Sequence, residues 1–130
     1  MGKRVLLVED EANIREAMSF LLSREGWDVA THDDGGTALA RIADVRPDLL
    51  VLDYMLPGRS GMEILTDLRA DPAYADMPVL MLTARGQARD REQAERAGVS
   101  RFMTKPFSNA EVLTAVRDLV YVAEQNRAAS

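Results

Sequence analysis

A chain of 130 residues fits one compact domain that needs no covalent staples, and the absence of cysteine excludes disulfides, thiolate metal sites and thiol catalysis. Hydrophobic residues make up 47% and charged residues 28%, with five prolines and no low-complexity tract, the balance of an ordered globular chain. The formal charge of −5 works against direct nucleic-acid binding, and a single histidine, His32, rules out multi-histidine metal sites. The start, MGKRVLLVEDE, meets acidic residues too early for a signal peptide, and no run is long enough to span a membrane, so a cytoplasmic location is expected.

Five short apolar runs alternate with segments of helical period. The first strand is expected at Arg4–Val8 (RVLLV), then a helix over Ala12–Arg24 with Ile14, Ala17, Met18, Leu21 and Leu22 on one stripe and Gly26 closing it. Asp28–His32 (DVATH) is the second strand, followed by a helix over residues 36–45. Leu49–Asp53 (LLVLD) and a helix over 62–69 come next, then Val79–Thr83 (VLMLT) with a helix over 89–97. Arg101–Thr104 (RFMT) is the last strand, and Ser108 with Glu111 predicts a capping box opening a helix over 109–124. The domain is expected over residues 1–124, with 125–130 as a tail. Runs one, three and four are apolar almost throughout, as in strands covered on both faces. The fourth helix, RDREQAERA, offers only alanines to a core, so weak anchoring and movement are expected of it. The alternation as a whole predicts an α/β fold: a doubly wound, five-stranded parallel sheet.

Right-handed crossovers bring all strand C-terminal ends to one edge, where open α/β sheets place their ligands. Just past those ends stand Glu9 and Asp10, Asp53, Thr83 and Lys105. In the order 2-1-3-4-5, adopted by analogy with known doubly wound sheets, the first and third strands are neighbours and Glu9, Asp10 and Asp53 converge. Three carboxylates in one crevice raise one another's pKa unless a cation is bound. A donor set of oxygens alone points to Mg²⁺. A carboxylate beside Mg²⁺ can attack phosphorus and become an aspartyl phosphate. Such a transfer needs positioning and charge neutralisation, roles that fit Lys105, Thr83 and Mg²⁺.

Four motifs then fall in order between Lys3 and about Leu119: LLVEDE at 6–11, LDYMLPGRSG at 52–61, MLTA at 81–84 and MTKPF at 103–107. With them the chain resembles the receiver domain of a two-component response regulator, of the single-domain, chemotaxis-regulator-like kind. The resemblance implies a flavodoxin-like (βα)5 fold and a phosphoacceptor signalling domain rather than an enzyme. It implies that Asp53 takes a phosphoryl group, with Mg²⁺, from the phosphohistidine of a sensor histidine kinase or histidine phosphotransfer protein. Asp10 and Asp53 would bind the metal directly, Glu9 through water and Met55 with its backbone carbonyl. Lys105 would pair with the phosphoryl group, and the Lys105–Pro106 bond would be cis. Thr83 would swing toward the phosphate and Phe102 would follow it inward as an aromatic switch. The signal would leave through the face made by the fourth helix, fifth strand and fifth helix.

Plainer readings stand beside these. Asp53 alone reads as a strand-end acid, Glu9 and Asp10 as the acidic first turn of a helix, Phe102 as core and His32 as a strand-end polar residue. Met55 and Arg85 flank the site two residues after Asp53 and Thr83, and a thioether cannot orient an attacking water, so slow self-dephosphorylation is expected. Ser100 and Arg101 make the output face less acidic than is usual in the family resembled. An aspartate-nucleophile phosphohydrolase would want an acid where Met55 stands and room for a cap. A flavodoxin-like ligand-binding module would want a phosphate-cradling loop where EDEAN stands. Whether the chain is a stand-alone receiver or the receiver portion of a longer regulator stays open, as does its output partner. Tyr121 and Val122 leave open a homodimer on phosphorylation, or a surplus of helix.

Overall fold

The computed structural model describes residues 3–84 and 88–129. Strands β1 (Arg4–Val8), β2 (Asp28–His32), β3 (Leu49–Asp53), β4 (Val79–Thr83) and β5 (Arg101–Thr104) fall on the predicted runs. They form one parallel sheet in the order β2-β1-β3-β4-β5. Helices α1 (Ala12–Arg24), α2 (Ala38–Val45), α3 (Gly61–Ala70), α4 (Ala88–Ala97) and α5 (Asn109–Ala129) alternate with the strands, and a 3-10 turn covers Pro72–Tyr74.

The pleat explains why the central strands are apolar throughout. Val5, Leu7, Val51, Leu80 and Leu82 point to one face, where α1 contributes Met18 and Leu22, and α5 contributes Val112, Ala115, Val116 and Leu119. Leu6, Val8, Leu50, Leu52, Val79 and Met81 point to the other, against α2, α3 and Ala94 of α4. Burying one leucine contributes about 1.5–3 kcal/mol, so these two layers dominate the stability of the sheet. The edge strands β2 and β5 stay partly exposed, as their mixed sequences require.

Helix ends follow local chemistry. Gly26, at φ +92°, closes α1 in a Schellman arrangement: its N–H donates to the Ser23 carbonyl at 3.1 Å, and the Trp27 N–H to Leu22 at 3.2 Å. Ser108 and Glu111 make the predicted capping box at 3.1 Å in both directions. Ser60 and Glu63 make a second box, encoded in their S-x-x-E spacing. It starts α3 at Gly61.

Some expectations are corrected. Helix α2 starts at Ala38 rather than at residue 36, because Gly35 and Gly36 are packed against the loop after β3. Helix α5 runs on to Ala129 rather than ending at 124. Ala17 is exposed at the edge of the α1 stripe, and α4 buries Asp90 as well as Ala94. Glu9 and Asp10 precede the N-cap Glu11, so they are not the first turn of α1.

Candidate functional site

Glu9, Asp53, Thr83 and Lys105 are each tied to a neighbouring strand through their own backbone or that of the next residue. The Glu9 N–H donates to the His32 carbonyl at 2.9 Å, joining the end of β1 to β2. The Tyr54 N–H donates to Leu82 at 2.7 Å and the Lys105 N–H to Thr83 at 2.7 Å, so Asp53 and Lys105 leave the sheet on either side of β4. The Lys105–Pro106 peptide is cis, as expected. Thr83 ends β4 fully buried.

The carboxylates of Glu9, Asp10 and Asp53 each offer an oxygen within 4.8 Å of the others. Glu9 and Asp53 are buried and Asp10 is exposed, so the crevice opens to solvent on the Asp10 side. Lys105 Nζ lies 2.9 Å from Glu9 Oε1 and 3.4 Å from Asp53 Oδ2, bridging the two buried acids. Burial pushes Glu9 above the usual carboxylate range, and Asp53 adds to the shift against the pull of Lys105. Burial works against the charged form of Lys105, but hydrogen bonding to Glu9 and the charge of Asp53 outweigh it and raise its pKa. One ammonium facing three carboxylates leaves negative charge that a divalent cation of oxygen preference would neutralise, so the donor set fits Mg²⁺.

Two loops frame the crevice. The Gly35 N–H donates to the Pro57 carbonyl at 2.8 Å, and a Cβ at Gly35 would lie 2.0 Å from the Arg59 carbonyl oxygen. Gly58, at φ +84°, approaches the Gly36 nitrogen so closely that a Cβ would sit 2.8 Å from it. This contact fixes the loop that carries Met55. The Met55 side chain is exposed, whereas Leu56 packs against the core. His32 lies in a polar chain beside that loop, its Nε2 2.7 Å from Thr37 Oγ1, which donates to Asp34 at 2.9 Å.

On the β5 side, Phe102 is half-buried with the Arg91 guanidinium 5.6 Å from its ring centroid. Arg101 pairs with Asp118 of α5 at 3.4 Å, and Ser100 Oγ accepts from the Val79 N–H at 3.0 Å. Arg85 lies outside the described residues. Two contributors escaped sequence reasoning. Arg15 donates from Nη1 to the Glu9 carbonyl at 2.8 Å, and Gly61 lets α3 start against the Asp53 backbone. Nothing in the local pattern marks Arg15, an ordinary charged residue on a helix.

Residues 5–117 match the family described as the response regulator receiver domain. Over 117 residues the chain is 39% identical to the phosphate regulon transcriptional regulatory protein PhoB of Escherichia coli, covering 90% of this chain and 51% of PhoB. It is 44% identical to the transcriptional regulatory protein TrcR of Mycobacterium tuberculosis, over 90% of this chain and 45% of TrcR. The chain thus spans about half the length of these curated relatives. Its fold is similar to that of the chemotaxis response regulator CheY4 of Vibrio cholerae, with a TM-score of 0.86 and 28% identity over 92% of this chain and 99% of that one.

The chain belongs to the response regulator receiver domain family. It is a phosphorylatable receiver of the flavodoxin-like (βα)5 fold, a signalling domain rather than a conventional catalytic enzyme, with an acidic triad able to coordinate a divalent metal. This membership displaces the phosphohydrolase and ligand-module readings. Receivers of this family work with histidine-kinase phosphotransfer systems. No described helix is long and apolar enough to cross a membrane.

Proposed function

We propose that Asp53 is the phosphoacceptor and that the donor is a phosphohistidine on a sensor histidine kinase or histidine phosphotransfer protein. The observation that carries this reading is the buried Asp53 carboxylate, held within reach of Lys105 at 3.4 Å and of two further acids. An Asp53 oxygen forms the bond to phosphorus as the P–N bond breaks, and the electron pair of that bond returns to the imidazole of the donor. Mg²⁺, when bound, supplies the positive charge that lets an anionic nucleophile meet an anionic phosphoryl group. Asp10 and Asp53 would hold it, with Glu9 acting through water and Met55 offering its backbone carbonyl. Lys105 exchanges its pairing with Asp53 for the new phosphoryl oxygens.

Thr83 then turns its hydroxyl to the phosphoryl group and Phe102 moves inward, changing the face made by α4, β5 and α5 for protein recognition. The exposed Met55 thioether cannot orient a water, so the aspartyl phosphate is lost slowly. The receiver occupies residues 1–124, works in the cytoplasm and does not itself bind nucleic acid. Its output is either a separate protein or an effector in the same polypeptide.

Incubation with Mg²⁺ and acetyl phosphate, followed by intact mass measurement beside Asp53→Asn, tests the acceptor. The wild type should gain one phosphoryl group and the variant none. No gain in either would remove the reading, and equal gain would move the acceptor elsewhere.

A further inference from the structure

Glu9 is held at every polar atom. Its N–H donates to His32, Lys105 donates to Oε1 at 2.9 Å, and Oε2 faces the Glu11 N–H at 3.4 Å. Its carbonyl accepts from Arg15 Nη1 at 2.8 Å, a tie that reaches back from the body of α1. That tie crosses the turn carrying Asp10, which the 3.4 Å contact between the Glu11 N–H and Glu9 Oε2 also spans. Helix α1 has no side-chain hydrogen bond at its N-cap and no acidic residue in its first turn. Arg15 is anchored by its own N–H to the Glu11 carbonyl at 3.0 Å, so its side chain spans the turn from Glu11 back to Glu9. Among the described residues its guanidinium forms no ion pair, so the contact is to the backbone rather than to a carboxylate.

Two effects of Arg15 on a cation in the crevice oppose each other. Its positive charge, partly exposed and screened by water, repels the ion. Its hydrogen bond fixes the backbone from which two of the three carboxylates project, and partners of this kind commonly govern metal affinity more than their distance suggests. We propose that Arg15 is a positioning residue for the divalent cation at Glu9, Asp10 and Asp53, its hold on the turn outweighing its repulsion. The inference rests on the reading that this triad binds Mg²⁺.

The two effects differ in sign, which makes the test direct. Calorimetric titration of the full chain with Mg²⁺ at fixed ionic strength should show Arg15→Ala and Arg15→Met binding about five- to tenfold more weakly, the scale of one net hydrogen bond. Arg15→Lys, which keeps a donor, should stay within about twofold of the wild type. The Mg²⁺ concentration that gives half-maximal labelling by acetyl phosphate should rise by the same factor in Arg15→Ala and Arg15→Met. Mg²⁺ binding by Arg15→Ala or Arg15→Met as tight as in the wild type, or tighter, would overturn the proposal, as would a Lys variant as weak as either. If the wild type itself takes up no Mg²⁺, the metal reading falls and the inference with it.

Discussion

A methyl group added at Gly61 would lie 2.4 Å from the Asp53 carbonyl oxygen and 3.1 Å from the Tyr54 Cα. Both obstacles are backbone, so neither can swing aside. Alanine is the better helix former by about 1 kcal/mol, but overpacking against fixed atoms costs about 1–3 kcal/mol. Gly61→Ala should therefore destabilise the protein, by up to about 2 kcal/mol, and slow phosphorylation of Asp53 by acetyl phosphate. Urea denaturation and intact mass against time measure the two effects, and unchanged values in both would show that the Asp53 backbone can yield there. This dependence was not legible in the sequence. Asp53, Lys105 and Thr83 announce themselves by lying at strand ends, whereas Gly61 matters only because α3 begins against the strand that carries Asp53.

Between elements, Arg69 makes a polar tie well away from the site. From the last turn of α3 it donates to the carbonyls of Gly98 at 2.8 Å, Tyr74 at 2.7 Å and Met77 at 2.7 Å, joining the ends of α3 and α4 to the 3-10 turn. Burial lowers its pKa, which Asp76 partly offsets. Helix α4 buries little apolar surface, chiefly Ala94, so this polar clamp has a large share in holding its C-terminal end. Arg69→Ala should cost about 2 kcal/mol by leaving partly buried carbonyls without donors, and should raise hydrogen exchange in α4 more than in α1. A uniform rise across all helices would argue against a local clamp. Strand positions were legible because five apolar runs bounded by turn residues leave little choice of span. The start of α2 was not, because what keeps Gly35 and Gly36 out of the helix is a loop more than twenty residues later in the chain. The small apolar face of α4 was legible, but the arginine that holds its C-terminal end was not.

For the whole molecule, the acidic crevice sets stability against function. Glu9 has a folded-state pKa raised above 4.5, chiefly by burial and then by Asp53. Its contribution is fully present below pH 4.5, where the carboxyl is neutral in both states, and is lost as pH rises through the folded value. Lys105 behaves differently: its pKa is raised above 10.5, so its contribution persists through neutral pH and is lost only in strong alkali. In chelator the wild type should therefore lose stability relative to Glu9→Gln as pH climbs from 4.5 through neutrality, since glutamine carries no proton to lose. Urea denaturation of both proteins across that range measures the difference. A gap independent of pH would show that Glu9 titrates normally and that the crevice is not strained by its charges. Mg²⁺ should act in the opposite sense, because it binds only the folded crevice: at one hundred times its dissociation constant it adds about 2.7 kcal/mol. That gain should be larger at pH 8 than at pH 5, where protons compete for the same oxygens, so added Mg²⁺ should flatten or reverse the decline. The site is then least stable, metal-free, under the conditions in which it is best prepared to take a cation and a phosphoryl group.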